Sequence, residues 1–328
     1  MAMSRRWVSI LLVAAAPLSA LRLQRTGHSQ QPRPDGVARC PAMFVAVISK
    51  PNHGYRRDQI RKMWQTAGRD WGEVTARFAM CGDKNRDAEL RNESLTHGDM
   101  IFMKCKEGYM QGDLTRKVAR AMRVYLRNYG NYDLFMKVDD DTFVSTRRVC
   151  NMLEWREEHG KNNSRMYAGV FAEGPNETMF TNHTPERDPS SPWYEPPEVF
   201  SGDVYPPSAK GGPGYILSKP LVHAIITNDI ADKHLLHNED KAVGVWVDLL
   251  MNRDYKVEFV NIPGTDGYDE HLDHVVTNGT YKLYPHFLHH HLPGPTIACL
   301  SNVDATYDPE LHVDECFTDP TSATFQRK

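Results

Sequence analysis

The hydrophobic and polar positions of this chain predict strands and helices in alternation. Residues 43–49 form a continuous apolar run bounded by Pro41 and Pro51, the pattern of a strand buried on both faces. In the stretch 56–64 that follows, Ile60, Met63 and Trp64 are spaced to share one side of a helix. Residues 77–81 and 100–103 read as second and third strands. From Leu114 to Tyr129, a stripe of Leu114, Val118, Met122, Tyr125 and Leu126 predicts a helix with its Lys and Arg mostly on the other face. Residues 134–138 have strand character, and a helix from Thr146 to about Glu158 carries Val149, Leu153 and Trp155. Residues 173–207 are rich in Pro, Ser, Asn and aromatics without regular pattern, as functional or disordered insertions are. An amphipathic helix over 242–250 has Asn238 as its N-cap, with Glu239 and Asp240 in the first turn, where the helix dipole favours anions. Strands alternating with helices predict an α/β fold.

The strand at 134–138 runs straight into Asp139, Asp140 and Asp141, followed by Thr142-Phe143-Val144. Three adjacent carboxylates are too costly to bury unpaired, so they belong at a strand end where a cleft opens. Hard oxygen ligands suit Mg²⁺ or Mn²⁺ shared with substrate phosphates. A solvated acidic turn accounts for the triplet equally well. The first strand, a short loop and a basic helix with Arg56, Arg57 and Arg61 resemble the opening of a nucleotide-binding unit. Those arginines fit a solvated helix face as well as a phosphate site at the helix start. Near the C-terminal end, His289, His290 and His291 lie between apolar residues. In an extended segment His289 and His291 point one way and His290 the other.

The net charge of −3 carries no polyelectrolyte signal, so no nucleic-acid partner is expected. The N-terminus differs in kind. Arg5 and Arg6 precede an apolar stretch, residues 7–21, that ends in small residues. This is a signal peptide or a short membrane anchor, and either directs the chain into the secretory pathway. Five N-glycosylation sequons, beginning at Asn92, Asn162, Asn176, Asn182 and Asn278, agree with that. So do six cysteines without a C-x-x-C pair, an even count that predicts disulfides in any of about 15 pairings. Residues 1–22 are the anchor or signal peptide, 23–40 a stem, 41–300 the main domain and 301–328 a tail.

Five segments in order resemble the β-1,3-galactosyltransferase-like glycosyltransferases of family 31, which include the fringe and core-1 enzymes. They are Val45-Ala46-Val47-Ile48-Ser49 with the Arg56-Arg57-x-x-Ile60-Arg61-x-x-Trp64 helix, Leu114-Thr115-Arg116-Lys117, and Lys137-Val138-Asp139-Asp140-Asp141-Thr142-Phe143-Val144. The last two are Tyr205-Pro206-Pro207 with Gly211-Gly212-Pro213-Gly214-Tyr215, and Glu239-Asp240 before an apolar helix with Gly244. The chain departs from the family pattern at Asp113, at Ser208-Ala209-Lys210 and at Lys241.

The resemblance implies a glycosyltransferase-A, Rossmann-like fold: a mostly parallel sheet flanked by helices. It implies an inverting hexosyltransferase that moves galactose or an N-acetylhexosamine from a UDP-sugar to a glycan hydroxyl, on protein or lipid, in β-1,3 linkage. Mn²⁺ is the implied cofactor, held by Asp141, with Asp139 and His289 as further ligands. Asp240 is the implied general base, with Glu239 as runner-up. Arg57, Arg61, Lys117, Asp139, Asp140, Gly212 and Gly214 are implied contacts for the nucleotide sugar. The expected location is the Golgi membrane, as a single-pass type II protein with a luminal catalytic domain, or secretion after cleavage. A non-catalytic luminal sugar-binding protein of the same fold is the alternative.

Overall fold

The computed structural model describes residues 40–67, 74–83, 87–171, 183–262, 264–265, 288–292, 294–305 and 316. The leader and stem lie outside these residues. The described residues fold as α/β, with a seven-stranded sheet flanked by helices.

Its first half is three steps of strand, helix, parallel strand, two in one direction across the sheet and the third returning to the far side of β1: β1 (Met43–Ile48), α1 (Gly54–Ala67), β2 (Val74–Cys81), α2 (Ala88–His97), β3 (Met100–Met103), α3 (Asp113–Asn128) and β4 (Leu134–Asp139). Then come β5 (Phe143–Val144), α4 (Thr146–Glu158), β6 (Met166–Gly169), β7 (Tyr215–Ser218), α5 (Lys219–Thr227), α6 (Ile230–Lys233), α7 (Glu239–Met251) and β8 (Glu258–Asn261). The last described elements are β9 (Gly264–Thr265), β10 (Leu288–His289) and α8 (Gly294–Ala305). The sheet order is β3-β2-β1-β4-β7-β6-β8. All of its neighbours run parallel except β7, which is antiparallel to both β4 and β6. This is the mostly parallel sheet between helices expected of a glycosyltransferase-A fold.

Period-two alternation splits the apolar residues between two cores. Met43, Val45 and Val47 of β1 face α1, α4 and α8 through Ile60, Met63, Val149, Leu153, Ile297 and Leu300. Phe44, Ala46 and Ile48 face α3, α5 and α7 through Val118, Met122, Leu221 and Trp246. The Trp64 side chain falls outside the described residues. Trp155, expected on the α4 stripe, is 53% exposed and stacks on His159 instead.

Chain order reverses direction across the sheet between β1 and β4, which are paired with Ile48 opposite Asp139. The strand ends there have no covering crossover, so a crevice forms at their carboxyl ends. Cys81–Cys105 ties the end of β2 to the loop after β3 beside this crevice. Cys40–Cys150 ties the approach to β1 to α4, and Cys299–Cys316 ties α8 to residue 316. Helix α8 packs on α1 and runs through residue 300, so the folded unit continues past the domain boundary expected there. Among the described residues no helix is long and apolar enough to cross a membrane.

Candidate active site

The crevice is a cleft of about 600 Å³, within the size range of small-molecule and cofactor sites. One wall is the end of β1 and the start of α1, with Ser49, Lys50, His53 and Arg56. The acidic end of β4 and the pair His290 and His291 form the second wall, and the start of α7 forms the third. Tyr109 and Trp193, in edge-to-face contact at 5.5 Å, stand at its rim and are about half exposed.

The Asp triplet sits where the sequence places it, with Asp139 closing β4 and Asp140 and Asp141 in the turn beyond. Its three carboxylates have three environments. Asp139 Oδ1 takes Lys137 Nζ at 2.9 Å, and its other oxygen lies 3.6 Å from His290 Nε2. Asp140 is buried and divided between His53 Nδ1 at 2.8 Å and Arg56 Nη1 at 3.1 Å. Asp141 faces His290 Nε2 at 3.2 Å through one oxygen and Arg56 Nη1 at 2.8 Å through the other. Burial opposes the charge of Asp141. The hydrogen bond and charge of His290, with Arg56 and His291 nearby, nonetheless hold it well below the usual carboxylate range.

Among the described residues, Asp141, His290 and His291 bring one ligand atom each within 4.8 Å of one another. One carboxylate and two imidazoles suit a divalent transition ion, whereas Ca²⁺ and Mg²⁺ favour oxygen-rich sets. These residues therefore fit a cation beside Asp141. The alternation expected along the His triplet fails at its last member. His291 has a left-handed backbone, φ 59°, so its ring turns back to lie 3.7 Å from that of His290. His289 pairs with Phe143 in β10; its side chain, the ligand expected from sequence, falls outside the described residues.

On the opposite wall, Glu239 and Asp240 open α7 as expected, but their roles separate. Both line the cleft, Asp240 partly exposed and Glu239 almost fully buried. Glu239 accepts the hydroxyl hydrogen of Tyr215 and lies 3.4 Å from Lys137 Nζ. Burial pushes the Glu239 carboxyl up, against the charge of Lys137 and the Tyr215 hydrogen bond. Simple compensation of the helix dipole therefore does not describe Glu239. The Asn238 side chain also does not cap the helix. Buried Glu195 instead fixes the residues leading into it, accepting from the amides of His237 at 2.9 Å and Asn238 at 3.1 Å.

The glycines of the 211–214 block serve close approach. Gly211 backs onto Asp240 and Glu239, where a Cβ would stand 3.1 Å from each. Gly212 lines the cleft and its carbonyl accepts from Thr142 Oγ1. Gly214, expected at the sugar pocket, is outside the lining. It adopts φ +101° against β4, with a Cβ position 2.3 Å from the Lys137 carbonyl.

The expected cationic contacts are revised. Arg57 is 1% exposed and is held by Glu93, Ser49 and the carbonyls of Lys50 and Pro51. Arg61 is held by Asp58, Glu93 and Asp99. Neither lines the cleft. Both belong to an ion-pair network between α1 and α2, because one turn of helix carries them to its buried side. Lys117 lines the cleft but is almost fully buried, bonded to Glu107 and the Ser49 carbonyl. Burial lowers its affinity for the proton, against the pull of Glu107. Sequence reasoning passed over His53, Tyr109, Trp193 and the internal role of Lys137, and it did not single out Arg56 from Arg57 and Arg61. The alternating pattern of β4 did carry one signal: it sends Lys137 and Asp139 to the same side of the sheet. The departures at Ser208 and Lys241 meet, with Lys241 Nζ 3.0 Å from Ser208 Oγ and 3.4 Å from Asp240 Oδ2.

Comparison with known proteins finds relatives over most of the chain. A hydroxyproline O-galactosyltransferase of Arabidopsis thaliana is 31% identical over 69% of this chain and 31% of its own length. A β-1,3-galactosyltransferase 6 of Mus musculus is 30% identical over 67% of this chain and 65% of its own. A human N-acetyllactosaminide β-1,3-N-acetylglucosaminyltransferase 2 is 27% identical over 66% of this chain and 53% of its own. The chain thus spans about a third to two thirds of these relatives. The galactosyltransferase family model matches residues 55–259, from α1 to β8, and so takes in the Asp triplet, the glycine block and Glu239-Asp240. By that match over most of its length, the chain is a member of the galactosyltransferase family.

Proposed function

We propose that this protein is an inverting UDP-sugar-dependent β-1,3-hexosyltransferase that moves galactose or an N-acetylhexosamine onto a glycan hydroxyl. One observation carries the reading: a cation-competent Asp–His cluster and a partly exposed carboxylate, Asp240, line the same cleft. An inverting displacement needs charge neutralisation on the leaving side and a base on the attacking side.

Asp141, His290 and His291 would hold Mn²⁺, with Asp139 beside them. The ion supplies Lewis-acid stabilisation of the leaving diphosphate when bound. Lys50, His53 and Arg56 add positive or proton-donating groups to the same wall. Asp240 takes the proton of the attacking acceptor hydroxyl. Glu239 supports it, since its own carboxylate is committed to Tyr215 and Lys137. The paired aromatics Tyr109 and Trp193 at the rim exclude water from the acceptor side.

The leader, the exposed sequons at Asn92 and Asn162 and the three disulfides support a luminal site of action. We place the protein in the Golgi membrane, single-pass and type II.

The test is UDP release by the full chain with UDP-galactose, UDP-N-acetylglucosamine and UDP-N-acetylgalactosamine and a panel of glycan acceptors, with Mn²⁺ or with EDTA. Turnover with one donor, lost in EDTA, is the expected result. UDP binding without turnover on any acceptor would favour a non-catalytic sugar-binding protein.

A further inference from the structure

Two consecutive arginines in the first turn of α1 go opposite ways. Arg57 turns under the helix to Glu93. Arg56, one step of the helix away, turns into the cleft and places one guanidinium nitrogen between two carboxylates. Nη1 is 3.1 Å from Asp140 Oδ1 and 2.8 Å from Asp141 Oδ2.

The second contact falls on the carboxylate that joins His290 and His291 in the cation-competent cluster. A guanidinium and a divalent ion on one carboxylate repel each other at short range. They are therefore competitors for Asp141. The two carboxylates that Arg56 joins differ in what they can release. Asp140 has a second anchor in His53 at 2.8 Å, which keeps it in place whether or not Arg56 stays. Arg56 is more exposed than either aspartate, with 28% of its side chain accessible against 5% and 15%. Its long side chain ends on the wall that also carries Lys50 and His53. A guanidinium fork matches the paired oxygens of a phosphate.

We propose that Arg56 is an exchangeable counter-ion. It neutralises Asp141 when no cation is held, and it passes to the diphosphate of a nucleoside diphosphate when a cation takes that carboxylate. The proposal rests on the reading of this cleft as a nucleotide-sugar site. It makes cation and nucleotide mutually dependent. A cation arriving alone must displace Arg56 without return, whereas one arriving with a diphosphate gives the guanidinium a new partner. Coupling of this kind is reciprocal between the two ligands.

The experiment compares the full-length wild type with Arg56→Met and Arg56→Lys, after thermal melts have established that each variant is folded. Free Mn²⁺ is titrated by electron paramagnetic resonance without nucleotide, and UDP by calorimetry at saturating Mn²⁺. In Arg56→Met we expect Mn²⁺ alone to bind about tenfold tighter and UDP about tenfold weaker, within the ordinary range of coupling. Arg56→Lys should fall between. The opposite signs are the signature, because a merely structural loss weakens both ligands. Parallel weakening, or an unchanged Mn²⁺ affinity with UDP binding intact or reduced, overturns the proposal alone. Absence of UDP binding to the wild type overturns the nucleotide-sugar reading, and this proposal with it.

Discussion

Lys137 Nζ lies 2.9 Å from Asp139 Oδ1, at the cleft wall, on a side chain only 1% exposed. The same ammonium reaches Glu239 Oε2 at 3.4 Å and donates to the Gly211 carbonyl at 2.8 Å. One buried cation thus joins the acidic end of β4, the glycine block and the start of α7. Desolvation works against its charge, and Asp139 and Glu239 outweigh it, holding the lysine protonated.

Lys137→Met removes that cation and leaves Glu239 buried beside Asp139. We expect a loss of stability on the order of 3–5 kcal/mol, as when one member of a buried pair is removed. Adding Glu239→Gln should return part of it. Urea denaturation of the two single variants and the double variant measures the coupling, and additive losses would show that the side chains act independently.

Asp240→Asn should lower sugar transfer by about 10²- to 10⁴-fold, the usual contribution of a general base, and leave UDP affinity unchanged. Single-turnover transfer measured beside UDP calorimetry separates the two. Transfer that survives the substitution moves the base to Glu239.

The cation ligands make a sharper contrast. His290→Ala and His291→Ala should each weaken Mn²⁺ binding at least about tenfold, since even outer-shell partners carry that much. If equilibrium dialysis shows the loss in His289→Ala alone, the register inferred from sequence is the right one.

Acid stability should depend on Glu93. Burial raises its carboxyl, but hydrogen bonds and charge from Arg57 and Arg61 prevail and hold it below the usual value of 4.5. A carboxylate depressed in the folded state stabilises above its unfolded pKa and loses that contribution as pH falls through its folded one. Melting temperatures followed from pH 7 downwards should therefore fall more steeply below about pH 4.5 in the wild type than in Glu93→Gln. The variant should also be less stable at pH 7, on the order of 3 kcal/mol.

Two glycines with positive φ separate backbone strain from crowding. Gly82, φ +117°, has open space where a Cβ would stand, and Gly214 has the Lys137 carbonyl there. Gly82→Ala should cost about 1–3 kcal/mol for conformation alone. Gly214→Ala must also displace β4 and should cost more, read by denaturation or by loss of soluble protein.

The legible parts of the chain were those governed by a period. The run Met43–Ile48 is a fully buried strand, and the stripe of Val118, Met122 and Tyr125 faces the core of α3. The Asp triplet falls at a strand end because burial forbids it elsewhere. What stayed hidden depended on phase or on long-range partners. Which of Arg56 and Arg57 enters the cleft turns on where α1 begins, and a shift of one residue exchanges them. His291 leaves the extended path through a single backbone angle that no pattern announces. Lys117 and Lys137 look like surface charges in the sequence, because Glu107, Asp139 and Glu239 reach them only once the chain is folded.

Glu195 ties residues 187–205 of the irregular segment to the start of α7 by anchors their sequence does not suggest. Fully buried, it holds the amides at the start of α7 and accepts from the Tyr205 hydroxyl, while its own carbonyl accepts from Arg187. Its neighbours Trp193 and Tyr194 also hold that helix start through their carbonyls, which accept from Asn238 Nδ2 and His237 Nδ1. Backbone contacts of that kind are indifferent to side-chain identity. Trp193, about half exposed at the rim of the cleft, can therefore be substituted while the main-chain anchorage to the start of α7 stays in place.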